Sequence, residues 1–394
     1  MKYLTRTIWI LSLISLFTDM ASEMLYPILP IYLNHIGFSV MFIGLLEGVA
    51  EATAGLSKGY FGKLSDHLGK KTPFVQLGYS LSALSKPLLA LFTYPLWIFF
   101  SRTLDRLGKG IRTGARDALL SAESSPANKG KVFGFHRSMD TTGAVLGPLL
   151  ALLYLNYHPG SYRPLFFIAF IPGCLAVLCS GFLKKRETQM EKQGPRPGFF
   201  SFLSYWKNGS PAYRKLVGGL LVFALFNSSD VFLLLKGKQC GLSDSSLVWV
   251  YIFYNLIYAF GSFPLGILAD KMGLKRIFLM GLLLFFLVYG GMSLSNNTIV
   301  YILLYLVYGL YAAATDGVSK AWISHLVVKK DLGATLGGFA GYQSICALLA
   351  SSLTGFIWLQ FGQGPAFLTS AIVTLMVILY LKIWASSPVI GETT

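Results

Sequence analysis

The sequence predicts an all-α membrane protein with twelve transmembrane helices in two pseudo-symmetric six-helix bundles. Three observations carry this reading. The chain of 394 residues is 54% hydrophobic and only 13% charged, against roughly 25% charged residues in soluble domains. Its apolar residues fall into twelve runs, each long enough to cross a bilayer. A polar segment, Gly62-Lys63-Leu64-Ser65-Asp66-His67-Leu68-Gly69-Lys70-Lys71, returns as Gly266-Ile267-Leu268-Ala269-Asp270-Lys271-Met272-Gly273-Leu274-Lys275-Arg276. The two aspartates are 270 − 66 = 204 positions apart, about half the chain. A charged loop repeated at half-length in an apolar protein indicates two homologous membrane halves.

A helix needs roughly 20 mostly apolar residues to span the hydrocarbon. The spans are expected at 8–34, 40–61, 73–93, 95–118, 131–155, 164–183, 215–236, 244–267, 276–294, 298–325, 333–359 and 365–385. Lys2 and Arg6 precede the first run as they would in a signal peptide. That run is too long and has no small-residue cleavage site, so it is expected to remain as a span. Residues 1–183 and 215–394 form the two bundles, and 184–214, rich in charge and proline, is a cytoplasmic linker. Within it, 199–206 is apolar enough to lie along the membrane surface.

The net charge of +16 suits nucleic acid less well than basic loops on one side of a membrane. Lys63, Lys70, Lys71, Lys129, Lys131, Lys184, Lys185, Arg186, Lys271, Lys275, Arg276, Lys329 and Lys330 share one side, and Arg163, Lys236 and Lys238 lie on the other. Positive charge stays inside, which makes both termini cytoplasmic in a multi-pass cell-membrane protein, most naturally a bacterial inner membrane. Cys174, Cys179, Cys240 and Cys346 have no zinc-type spacing and suggest no disulfides.

The duplicated loop reads G-x-L-[SA]-D-x-x-G followed by basic residues. It resembles the signature found between helices 2 and 3, and again between 8 and 9, of major facilitator superfamily transporters. The resemblance implies that fold and makes Asp66, Gly69, Asp270 and Gly273 gating residues. Physically, the glycines allow tight turns, and a carboxylate there can accept from free N–H groups at the start of another helix. Arg112, with Arg116 and Asp117, is expected to pair with the loop around Asp66. In the fifth span, Gly134, Gly143, Gly147 and Pro148 resemble the helix-5 pattern of the superfamily's exporters, with Ala151 in place of its last glycine. The physical content is a small-residue groove that lets helices approach closely. The fourth span resembles the pattern R-x-x-Q-G-x-G, with Arg102 as its arginine, Asp105 for Gln and Arg106 for Gly.

Charges inside spans mark function, because an unpaired one costs several kcal/mol. Asp19 and Glu23 are four residues apart in the first span, as are Glu47 and Glu51 in the second. Like charges at that spacing repel, so arginines neutralise them or some hold protons. These four are the proton-coupling candidates, Glu51 and Asp19 foremost. A fixed salt-bridge network is the equally weighted alternative. Arg102, Asp105, Arg106, Arg137, Asp140, Asp230 and Asn255 are cavity candidates. So are Tyr254, Tyr305 and Tyr308, which belong to tyrosine stripes at helical spacing whose commoner role is packing.

There is no P-loop, no dinucleotide loop and no catalytic signature, so no enzyme and no cofactor or resident metal is expected. The expected activity is secondary transport by alternating access: proton-coupled efflux of a small amphipathic organic molecule, by a monomer in the lipid bilayer, with protons as coupling ion. The alternatives are proton-linked uptake of a nutrient, anionic metabolite or siderophore-type chelate, a divalent-metal carrier using the carboxylates, and a non-transporting sensor or lipid-handling protein.

Overall fold

The computed structural model describes residues 4–26, 28, 29, 32, 33, 36–38, 40–184, 198, 199, 206, 209–328 and 331–385. Most of the linker, the surface helix expected over 199–206, the lysines at 329 and 330 and the Glu47 side chain lie outside the described residues. The described chain is α-helical: α1 Arg6–Leu25, α2 Val40–His67, α3 Thr72–Leu91, α4 Pro95–Glu123, α5 Lys129–Tyr157, α6 Tyr162–Gly181, α7 Pro211–Phe226, α8 Asp230–Gln239, α9 Asp244–Met272, α10 Leu274–Leu294, α11 Thr298–His325, α12 Leu332–Phe361 and α13 Gln363–Trp384.

Ten of the twelve expected spans correspond to one helix each. The first, expected over 8–34, is helical as α1 only to Leu25 and turns at Tyr26. The seventh, expected as a continuous helix over 215–236, is instead α7 and α8, interrupted at Asn227-Ser228-Ser229. The reason is local chemistry. Asn and Ser side chains compete for backbone hydrogen bonds and favour turns and caps over helix interiors. Asn227 accordingly takes an extended conformation, with φ −92° and ψ 91°.

Helix ends follow from capping residues. The Thr5, Ser210 and Ser243 side chains accept from the backbone N–H groups of Ile8, Tyr213 and Ser246, and Asn297 caps α11 through Ile299 and Val300. The second glycine of each repeated loop ends a helix with positive φ, +60° at Gly69 and +99° at Gly273. Only glycine enters that region without strain.

Contacts group the chain into two compact units. One comprises Met1–Glu123, Met139–Asn208 and Val328–Ser344; the other comprises Ser124–Ser138, Gly209–Val327 and Ile345–Thr394. The start of α5 thus belongs to the second unit and the start of α12 to the first. In the first unit α3 packs on α4 and α6, α1 on α6, and α2 on α4. In the second, α10 packs on α11 and α13, α7 on α13, and α9 on α11. One pattern of neighbours is used twice.

The distribution of polarity is that of a membrane protein. Leu96, Leu294 and Leu359 are 84–86% exposed, whereas Lys86, Arg102, Asp105, Arg112, Asp117 and Asp140 are buried. Among the described residues, eight helices are long and apolar enough to cross a membrane unaided. The charged α4 is not among them, and its charges are held inside the protein.

Close helix approach is set by glycine. A Cβ on Gly143 would collide with the carbonyl oxygen of Leu16 on α1, and one on Gly147 would lie 2.5 Å from the carbonyl oxygen of Met20. Gly134, from the same motif, instead meets the Ser262 carbonyl oxygen of α9. The motif is therefore two grooves serving two partners rather than one groove. Gly143→Val is expected to destabilise the protein by about 1–3 kcal/mol through overpacking. Gly181→Val, where nothing lies within 4 Å of the new Cβ, is the control. Thermal denaturation of the purified proteins compares them.

Candidate coupling and binding sites

In the first unit, α4 carries a row of ionisable side chains, most of them paired with a neighbouring helix or within α4 itself. The Lys86 ammonium of α3 lies 2.9 Å from the Asp105 carboxylate and donates to Ser22 Oγ at 3.2 Å. Arg102 reaches the other Asp105 oxygen at 3.4 Å. Arg106 pairs with Glu51 at 2.9 Å, and the Glu51 side chain is half exposed. The charges of Lys109, Arg106 and Arg102 reach Glu23. Of the four carboxylates singled out in the sequence, Glu51 is therefore held in an ion pair.

Asp19 is placed differently. Among the carboxylates that act on it, Asp140 on α5 is foremost. Two ionised carboxylates repel each other, so this approach favours a proton shared between them. Gly143 and Gly147 bring it about: they let α5 lie against α1 one turn beyond Asp140. Ser15 donates to the other side of Asp140, and Arg116 reaches Ser15 at 3.4 Å and Asp117 at 2.9 Å. An acid pair linked through a hydroxyl to an arginine can change its proton content without leaving a bare charge in an apolar medium.

Arg112 does not pair with the loop around Asp66. Its guanidinium lies 4.5 Å from the Tyr79 ring centroid and donates to Ser82 Oγ. The cation on Asp66 is Lys71. Asp66 accepts from the backbone N–H of Ala334 at 2.6 Å, in the first turn of α12. Gly62 and Gly114 stand against Gly333, and Gly337 against the Lys58 carbonyl.

The second unit repeats this arrangement. Asp270 accepts from the N–H groups of Gly130 at 2.7 Å and Lys131 at 2.8 Å, in the first turn of α5. Gly266 stands against Gly130. Each aspartate thus satisfies amides that the start of a helix leaves unpaired and sits at its positive dipole end.

The start of α5 has a further contact set that α12 lacks. Arg137 pairs with Asp316 of α11 at 2.7 Å, and Tyr258 of α9 donates to the same carboxylate at 2.8 Å. Arg137 also donates to the Tyr258 hydroxyl and lies over its ring, 4.8 Å from the centroid. Asn255, a cavity candidate, donates its amide to Tyr251 of its own helix at 3.1 Å.

Elsewhere in the second unit the tyrosines collect around one carboxylate. Tyr308 donates to Asp230 at 2.9 Å. Tyr254 stacks on Tyr308 at 5.4 Å and meets Tyr305 edge-on at the same distance. Tyr289 and Tyr311 complete the group.

Several of these residues escaped sequence reasoning. Lys86 is a lone cation in an apolar run, a signal that was available. Lys109 directly follows the helix-4 pattern, which ends at Gly108 and does not mark it. Ser15 and Ser82 carry no such signal, because serine is common in membrane helices.

Comparison with known proteins agrees with this architecture. The Major Facilitator Superfamily profile matches residues 11–243 and 216–394. An uncharacterised MFS-type transporter of Methanocaldococcus jannaschii is 33% identical over 363 residues, 91% of this chain and 89% of the relative. The quinolone resistance protein NorA of Staphylococcus aureus is 25% identical over 224 residues, 56% of each chain. The crystal structure of the human organic anion transporter MFSD10 superposes with a TM-score of 0.80 at 16% identity, covering 95% of this chain and 99% of that one. The last shows likeness of fold alone.

Two outcomes test the geometry. Asp105→Asn leaves Lys86 and Arg102 facing each other without an anion, at a cost of about 3–5 kcal/mol. Lys86→Met leaves the Arg102–Asp105 pair intact, so thermal denaturation should rank Asp105→Asn well below Lys86→Met. For the helix-start contacts, Asp270→Asn should speed hydrogen exchange at Gly130 and Lys131 about five-fold, for a loss of about 1 kcal/mol, read by mass spectrometry.

Proposed function

Because this chain belongs to the Major Facilitator Superfamily, we propose that it couples proton entry to the efflux of a small amphipathic organic molecule by alternating access. It is a multi-pass membrane transporter. The observation that carries proton coupling is the Asp19–Asp140 acid pair. A shared proton makes the pair singly charged. Loss of that proton creates two adjacent anions, which the Ser15–Arg116 side must then balance. The pair therefore has two charge states of different geometry, which is what a coupling site needs. Glu51, committed to Arg106, is the weaker candidate of the two carboxylates favoured from sequence.

Efflux is supported by the helix-5 glycine pattern and by the similarity to a drug-resistance protein. The uptake reading needs basic side chains to hold an anion, and Arg102 and Arg106 are already engaged with Asp105 and Glu51. The basic loops argue for cytoplasmic termini and a bacterial inner membrane, with the protein acting as a monomer. On that orientation Asp66 and Asp270 are cytoplasmic gate residues. Each holds the start of a helix from the other sequence half, and releasing those helix starts opens the cytoplasmic side. Residues 1–183 and 215–394 are the two bundles that rock in this scheme.

Proteoliposomes loaded by an imposed pH gradient test the proposal with Hoechst 33342 as cargo. Wild type should move the dye against its gradient, driven by protons. Asp19→Asn and Asp140→Asn should abolish gradient-driven movement and keep dye counterflow exchange. Full gradient-driven transport in both variants places coupling elsewhere, and absence of dye movement in wild type overturns amphipathic efflux.

A further inference from the structure

The break between α7 and α8 puts three polar groups beside the tyrosine cluster. Asp230 is the first residue of α8, and among the described residues its carboxylate has a single hydrogen-bond donor, the Tyr308 hydroxyl at 2.9 Å. It forms no ion pair with any described cation. Lys236, the nearest basic residue along α8, is turned to Asn296 at 2.6 Å. Asn227 spends its amide N–H on the Tyr311 hydroxyl at 3.1 Å, and its Oδ1 is buried without a partner. The Tyr305 side chain is fully buried, and its hydroxyl also has no partner. The Tyr305 ring lies 6.1 Å from that of Tyr308, whose hydroxyl meets Asp230.

Unmet acceptors next to an uncompensated carboxylate are costly in an apolar interior. They describe what is missing: a positive charge that also carries N–H donors. The faces of Tyr254 and Tyr308, stacked with an interplanar angle of 21°, supply the negative π surface that attracts a cation. Water supplies donors without charge, and a quaternary ammonium supplies charge without donors.

We propose that Asp230, Asn227 and Tyr305 form a binding subsite for the ammonium end of a protonated amine, with Tyr254 and Tyr308 as its walls. The proposal rests on the transporter reading and names the chemical class of the cargo. Asp230 neutralises the ammonium and accepts one N–H, and Asn227 Oδ1 accepts a second. The Tyr305 hydroxyl orients towards whichever acceptor is left. An aromatic or alkyl body then lies along the tyrosine rings, which accounts for an amphipathic substrate. The broken helix is what makes the site: a continuous helix through 227–229 would tie up Asp230 in mid-span and leave its backbone amides internally bonded.

Binding to the full-length protein in lipid nanodiscs, with no pH gradient, tests this by calorimetry. The probes are 1-naphthylmethylamine, its N,N,N-trimethylammonium analogue, 1-naphthylmethanol and 1-naphthoate. The amine should bind at least about ten-fold more tightly than the other three, a difference of about 1.4 kcal/mol. Asp230→Asn should remove that preference over the alcohol. Asn227→Leu should bring the amine down to the trimethylammonium level and leave the latter unchanged. Size-exclusion elution as for wild type establishes folding, and Tyr301→Phe, one ring away from the subsite, is the variant expected to keep wild-type preference. Equal binding of amine and trimethylammonium, tighter binding of naphthoate, or an unaltered preference in Asp230→Asn overturns the proposal. Failure of coupling is separable, because Asp19→Asn loses gradient-driven flux while amine binding stays intact.

Discussion

A charge in hydrocarbon must have a partner inside the protein, and most of this structure follows from that constraint. The fourth helix carries seven ionisable residues between Arg102 and Asp117. It does not cross a bilayer on its own apolarity. It does so because Glu51, Asp105 and Asp117 meet its arginines, because Lys86 meets Asp105, and because the outer surface is built of large apolar side chains. The packing of α2, α3 and α4 is thus an electrostatic requirement as much as a steric one. The proposed coupling and amine sites are placed where pairing is incomplete, at Asp19 with Asp140 and at Asp230.

Glycine decides which carboxylates can meet. Gly143 and Gly147 bring α5 onto α1 so that two acids come into contact. Gly62, Gly114, Gly333 and Gly337 seat the start of α12 within reach of Asp66, and Gly130, Gly134 and Gly266 do the same for α5 and Asp270. These last two arrangements share their backbone plan and differ in side chains. Gly130 and Gly134 occupy positions equivalent to Gly333 and Gly337, at an offset of 333 − 130 = 203. By that offset Ala340 stands where Arg137 does, and by the loop repeat Ala54 stands where Tyr258 does. The α5 seat is therefore held by an ion pair and a ring as well as by its aspartate, and the α12 seat by close packing and Lys58.

The same duplication with divergence separates the chemistry of the units. The first is rich in paired ions, where proton movement changes local balance strongly. The second is rich in aromatic rings, where an organic body finds dispersion contacts and a π surface. Asp230, a carboxylate without a described cationic partner, stands at the helix break. A transporter needs both functions, and neither demands that its residues come from the same unit.

The sequence by itself determined the fold and its duplication. Apolar runs of span length and a loop repeated at half-length are one-dimensional signals, because each helix satisfies its own backbone in a bilayer and each loop is local. The Gly69 and Gly273 turns were legible for the same reason. Pairing was not. Asp19 and Glu23 look equivalent along the chain, and only tertiary structure makes Asp140 foremost for one and the α4 cations for the other. Arg112 was expected at the Asp66 loop and stands on Tyr79, because one turn of α4 decides which helix it faces. The break at Asn227-Ser228-Ser229 was written in turn-forming residues, yet a span-length window averages it away. What the sequence left open is what depends on contacts between distant segments: which charges neutralise each other, which share a proton, and which polar atoms remain without a partner.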